Sequence, residues 1–111
     1  MTDPLLAARA DVLHDLAVCG ATTPEVVSLV EDVVVRRRWW VEQWPEGGAY
    51  VGGQVAQDVQ EALLDRVGRW PACPRHVEDD PHELRIAPEL GPNPRWVCET
   101  DGTVVASLGA L

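Results

Sequence analysis

Residues 70–102 read WPACPRHVEDDPHELRIAPELGPNPRWVCETDG, and this stretch decides how the rest of the chain is understood. It carries no helical period. Prolines recur at Pro71, Pro74, Pro81, Pro88, Pro92 and Pro94, a pattern of turns and short extended segments. Cys73, His76, His82 and Cys98 all fall within it, while the remainder of the chain holds only Cys19 and His14 of these residue types. Cys73-Pro74-Arg75-His76 places two residues between thiol and imidazole, so one tight turn aims both side chains at a single point. Cys98 closes a β-rich segment just before Asp101-Gly102, a hairpin-type turn. Zinc favours thiolate and imidazole ligands in a tetrahedral set. The stretch therefore predicts a structural Zn2+ ion held by Cys73, His76, His82 and Cys98. Asp101 is the alternative fourth ligand, because Cys98-Glu99-Thr100-Asp101-Gly102 has knuckle spacing with aspartate in the last place. Water is the remaining alternative there.

Working outward, three β-rich segments surround these residues: Glu83–Ala87, Arg95–Glu99 and Thr103–Leu108. They predict a small antiparallel, zinc-ribbon-like sheet. Upstream of Trp70 the period changes to that of helices. Asp3-Pro4 starts the first, which runs to about Val18 on Leu5, Val12, Leu13 and Leu16, with the stem of Arg9 along that face. Cys19 is expected as a core residue at its end, and His14 on the surface. Thr22-Thr23-Pro24-Glu25 is a capping box with an early proline, and opens a second helix that Trp44-Pro45 stops. Val33-Val34-Val35 has strand propensity, but the longer period favours helix. A third helix is expected from after Tyr50 to about Gly68, with Val51, Val55, Val59, Ala62, Leu63 and Val67 as its apolar stripe. Gln54, Gln57, Asp58, Glu61 and Asp65 form the polar face. The fold class is thus α+β: a three-helix N-terminal bundle over residues 1–69, then a zinc-ribbon-like β part over 70–111, in one compact domain overall. In so short a chain, an ion replaces core that a small sheet cannot build.

The 111 residues carry a formal charge of −9, and all nine basic residues are arginines. Nucleic-acid binders draw most of their affinity from neutralising phosphates, so this charge argues against that class. No run of eighteen apolar residues and no basic, apolar leader is present, which excludes a helical membrane span and points to the cytoplasm. In that compartment disulfides are not expected.

An enzyme is disfavoured by incomplete chemistry. His76-Val77-Glu78 imitates the H-x-E of zinc deaminases, but no P-C-x-x-C follows. His82-Glu83 does not extend to H-E-x-x-H. Gly47-Gly48-Ala49-Tyr50-Val51-Gly52-Gly53 lacks both the P-loop and the dinucleotide pattern, so it reads as an inter-helix turn. Trp40 and Trp44 lie one turn apart and are expected in the core. Arg37, Arg38 and Trp39 are the candidate partner-binding residues, since Trp and Arg are enriched where interfaces concentrate their energy. Asp79-Asp80 reads as a solvated acidic loop. The leading expectation is a non-catalytic, zinc-stabilised module that binds another protein, with a homodimer left open. The alternative is a small zinc enzyme with an open coordination position.

Three stretches also carry a resemblance. They are Arg37-Arg38-Trp39-Trp40-Val41-Glu42-Gln43-Trp44-Pro45-Glu46-Gly47, Val55-Ala56-Gln57-Asp58-Val59-Gln60, and Trp70-Pro71-Ala72-Cys73-Pro74-Arg75-His76 with Trp96-Val97-Cys98. Together, over residues 24–111, they resemble a group of small uncharacterised actinobacterial proteins. The resemblance implies a ribbon-like metal knuckle towards the C-terminus and transfers no activity.

Overall fold

The computed structural model describes residues 3–76, 78 and 80–111. Val77 of the H-x-E imitation and Asp79 of the acidic pair lie outside the described residues.

Helix α1 spans Pro4–Val18. Asp3 stands before it in extended geometry and accepts the Leu5 N–H at 2.9 Å, while Pro4 occupies a position that needs no donor. Leu5, Ala8, Val12 and Leu16 form its buried stripe. Cys19 is exposed, contrary to the core position expected. It has already left helical geometry (φ −90°, ψ 4°), so its side chain no longer projects along that stripe.

Helix α2 spans Pro24–Gln43, and Thr23 caps it by accepting the Val26 N–H. Tertiary burial of Val26, Val30, Val33 and Val34 outweighs the β propensity of the valine run, and Val35 points to solvent. Trp40 is half-buried and Trp44 exposed, so they are not the core pair expected. Trp40 and Trp44 meet edge to face with centroids 5.3 Å apart, and Tyr50 lies 5.8 Å beyond Trp44. The 3-10 turn Pro45–Ala49 passes against these rings, with Gly47 buried.

Helix α3 spans Val51–Leu64 and buries Val51, Gly53, Val55, Ala56, Val59 and Leu63. It stops before the expected Gly68. The Leu63 carbonyl collects the N–H groups of Arg66, Val67 and Gly68 within 3.0 Å, and Gly68 takes a left-handed φ of 126°. Val67 is left exposed. Part of the polar face is not solvated. Gln57 donates to the Glu89 carbonyl at 2.8 Å, and Gln60 to the carbonyls of Trp70 and Leu84 at 3.0 and 2.8 Å. Gln54 also reaches Glu89. This row of amides, three residues apart, holds the tail on α3. Ion pairs hold α2: Arg37 with Asp58 of α3, Arg38 with Asp3, and Glu31 with Arg9 of α1.

Strands β1 (Arg85–Ala87), β2 (Arg95–Val97) and β3 (Val104–Ser107) form an antiparallel sheet in that order. Ile86 stands opposite Trp96, and Trp96 opposite Ala106. Trp70, Cys73, Leu84, Ile86, Trp96 and Cys98 belong to the same buried cluster as the helical valines. At its centre is a buried carboxylate. Asp15, with 0% exposure, accepts the Trp96 indole N–H at 2.7 Å, the Gly109 N–H at 2.7 Å and the Leu111 N–H at 3.1 Å. The arrangement is α+β, three helices followed by a three-stranded antiparallel sheet, as the sequence predicts.

Candidate metal centre

Two turns and one backbone bridge build the site. Cys73 follows Pro71-Ala72, and this segment pairs with Pro81–Leu84: Ala72 bridges Glu83, the Cys73 N–H donates to the His82 carbonyl at 2.8 Å, and the Leu84 N–H donates to the Pro71 carbonyl at 2.7 Å. That pairing sets His82 beside Cys73. Cys98 arrives from β2, and its turn is closed by Gly102 N–H to the Cys98 carbonyl (2.9 Å), with Gly102 at φ 75°. Only a residue free to adopt positive φ suits that corner.

The ligand atoms of Cys73, His76, His82 and Cys98 all lie within 4.8 Å of one another. His76 Nδ1 is 3.7 Å from Cys73 Sγ and 3.5 Å from Cys98 Sγ, and His82 Nε2 is 3.6 Å from Cys98 Sγ. The two sulfurs are buried and the two imidazoles half-buried. The four groups are positioned to bind a metal ion.

The surroundings fix their chemistry. His82 Nδ1 faces the Asp80 carbonyl at 2.6 Å, with the Asp80 carboxylate 3.6 Å away. Placing the proton on Nδ1 leaves the Nε2 lone pair free for a cation, the usual outer support of a ligating histidine. Cys98, bonded to the ring, and then the Asp80 carbonyl push the His82 pKa up. Burial pulls the Cys98 thiol up, but the Asp101 N–H, the His82 ring and the Thr100 N–H outweigh it, so its pKa falls. The pair is polarised towards thiolate and imidazolium, and a bound cation would displace that proton.

Asp101 turns elsewhere. Its Oδ1 accepts the Thr103 N–H at 2.9 Å and its Oδ2 accepts Arg75 at 3.0 Å. Thr103 foremost holds this carboxyl far below the usual range. Arg75 lies between Cys73 and His76, so this ion pair ties the first turn to the second. Thr100 makes a parallel tie by donating to the Asp80 carboxylate at 3.0 Å. Spacing did not reveal these supports, though Arg75 and Asp101 sit inside the two motifs.

The candidate partner residues lie on α2. Trp39 is 64% exposed. Arg37 is engaged by Asp58 and Gln54 and stacks over Trp40 at 5.2 Å, and Arg38 is engaged by Asp3. Among the described residues, no helix is long and apolar enough to cross a membrane.

No curated protein and no solved structure matches the chain. One family model does, over residues 1–108, well beyond the metal-site segment. The chain therefore belongs to the family described as a domain of unknown function, DUF8819.

Proposed function

We propose that the protein is a non-catalytic interaction module whose β part is ribbon-like and held together by one structural zinc ion. The observation that carries this reading is the spacing of the four donors. With Zn–S about 2.3 Å and Zn–N about 2.0 Å, the S···N edge of a zinc tetrahedron is about 3.6 Å. The three sulfur–nitrogen separations are 3.5, 3.6 and 3.7 Å. Two thiolates and two imidazoles suit zinc better than oxygen-seeking cations. Four protein ligands fill the shell, which supports a structural rather than a catalytic ion.

The contact surface is the outer face of α2. Val35 and Trp39, one turn apart, are 69% and 64% exposed. Arg38 stands beside Trp39 and is already ordered by Asp3, so less side-chain entropy is lost on binding a protein partner, while Arg37 is turned inward to Asp58 and Gln54 of α3 and supports the helix from beneath. The compartment this reading assigns is the cytoplasm, where the thiols stay reduced.

Elemental mass spectrometry of the purified protein and its variants tests the site. One zinc per chain, lost in Cys98→Ser and His82→Ala and kept in Asp101→Ala, is the expected result. Zinc kept in both His82→Ala and Asp101→Ala would mean an open position and favour a zinc enzyme. A photocrosslinker at position 39, compared with one at Asp65, tests the surface. Discrete protein adducts are expected from position 39 alone.

A further inference from the structure

A cleft of about 320 Å³ opens where α1, the 3-10 turn, the start of α3 and the end of the sheet meet. None of its lining residues belongs to the metal centre. The volume is at the low end of small-ligand sites, about 300–1,000 Å³, so it suits a compact molecule. Its walls are short and aliphatic, from Pro4, Ala7, Ala8, Pro94 and Leu108. Among the described residues, Asp11 is its one ionisable lining group.

Asp11 is unlike the other acids that face the protein interior. Asp15 accepts several hydrogen bonds, and Asp3 and Asp58 have arginine partners. Asp11 has neither a hydrogen bond nor an ion pair among the described residues. Burial and then the neighbouring Asp15 push its pKa up, and His14 counters them in part. Its carboxylate lies directly against the backbone of Gly109, where an added Cβ would collide with Oδ1. A half-buried carboxylate with no direct hydrogen bond or ion pair among the described residues, in a cleft, is where a cationic ligand gains most.

We infer that this cleft binds a small primary ammonium compound with a short aliphatic body, its charge met by Asp11. The other polar groups at the rim fit that chemistry. The Ser107 hydroxyl and the side-chain carbonyl of Asn93 supply acceptors for the remaining ammonium protons. An anion is disfavoured because, among the described residues, no arginine or histidine lines the cleft. A quaternary ammonium is excluded because such ligands are held by aromatic cages, and no aromatic residue lines it. The overall charge of −9 raises the local concentration of cations. The inference does not depend on the metal centre.

The test is a titration of the metal-loaded protein with n-butylamine near neutral pH, followed by amide proton–nitrogen NMR, with n-butanol and tetramethylammonium as controls. Saturable shifts at Ala8, Asp11, Gly52 and Leu108 are expected for butylammonium and for neither control. Asp11→Asn should weaken the binding about tenfold or more, the loss of a charge-assisted hydrogen bond. Ala7→Leu, which fills the cleft from an exposed position one turn from Asp11, should abolish it. Absence of saturable shifts in the natural protein overturns the inference. So does equal binding by Ala7→Leu, an undiminished response in folded Asp11→Asn, or an equal response to either control.

Discussion

The indole N–H of Trp96 donates to the carboxylate of Asp15 at 2.7 Å, joining β2 to α1 across 81 positions of the chain. Loss of the indole strips a buried carboxylate of one of its three N–H donors, and loss of the carboxylate leaves the indole N–H buried and unsatisfied, which costs more than the bond itself contributes. Trp96→Phe and Asp15→Asn should each destabilise the protein by about 2–4 kcal/mol, with Asp15→Asn placing an amide donor among donors. Trp70 provides the contrast. It packs edge to face on Trp96 at 5.3 Å, yet its own Nε1 has no hydrogen-bond partner among the described residues. Trp70→Phe should therefore cost clearly less than Trp96→Phe in urea denaturation, and equal losses would contradict this assignment of roles.

Chelation should loosen the tail before the helices. Structural metal contributes folding free energy directly. Trp70 and Trp96 sit in one buried cluster with Cys73 and Cys98, so stripping the ion should red-shift tryptophan emission and lower Tm by about 10 °C or more. Much of the helical circular dichroism should survive, and one equivalent of zinc should reverse both changes.

Asp101 supports the site through Arg75 and Thr103. Asp101→Ala should retain one zinc per chain but bind it about 10–100-fold more weakly, the usual effect of losing an outer support. Competition with a chromophoric chelator measures this. Unchanged affinity would show that the Arg75 tie contributes nothing to the centre.

Gly47→Ala should destabilise by about 1–3 kcal/mol, the cost of overpacking. The new Cβ would stand 2.7 Å from Trp44 Cε3 and 2.9 Å from Trp40 Cζ3. Both rings would have to move, so thermal unfolding should be accompanied by altered near-ultraviolet circular dichroism already in the folded state.

Asp11 gives a pH dependence of definite sign. Its folded-state pKa is raised above the ordinary 3.8 by burial and Asp15, so the folded state binds its proton more tightly than the unfolded chain. The strain is present above the raised value and vanishes as pH falls below 3.8. Asp11→Asn should thus be more stable than the natural protein at pH 7, with the difference disappearing in acid. A variant that is less stable at pH 7 would mean that the carboxylate is compensated in the fold.

Much of this architecture could be read along the chain because its causes are local. Asp3-Pro4 and Thr23-Pro24 carry their helix starts within a few residues, and Asp101-Gly102 announces its own turn. The clustering of Cys73, His76, His82 and Cys98 was legible from residue type and spacing. What brings His82 to Cys73 was not, because the Ala72–Glu83 bridge is a backbone pairing with no side-chain signature. Asp15 was invisible for a related reason: on a helix it reads as one more acid, and only the fold delivers three N–H donors to it. Gln54 and Gln57 look like part of an ordinary polar face until the tail supplies carbonyls. The end of α3 was misplaced because Val67 continues the apolar period, while the capture of three amides by Leu63 decides the matter.

The two kinds of clasp described on α3 and α2 differ in what can undo them. Neutral glutamine amides fasten the tail to α3, and neither salt nor acid weakens an amide–carbonyl bond appreciably. Ion pairs at the rim of the bundle fasten α2 to its neighbours, and those are screened by salt and neutralised by acid. Salt therefore loosens the fastening of α2, the helix bearing Trp39, to its neighbours while its buried valines keep it in the core, and it leaves the glutamine clasp between the tail and α3 untouched.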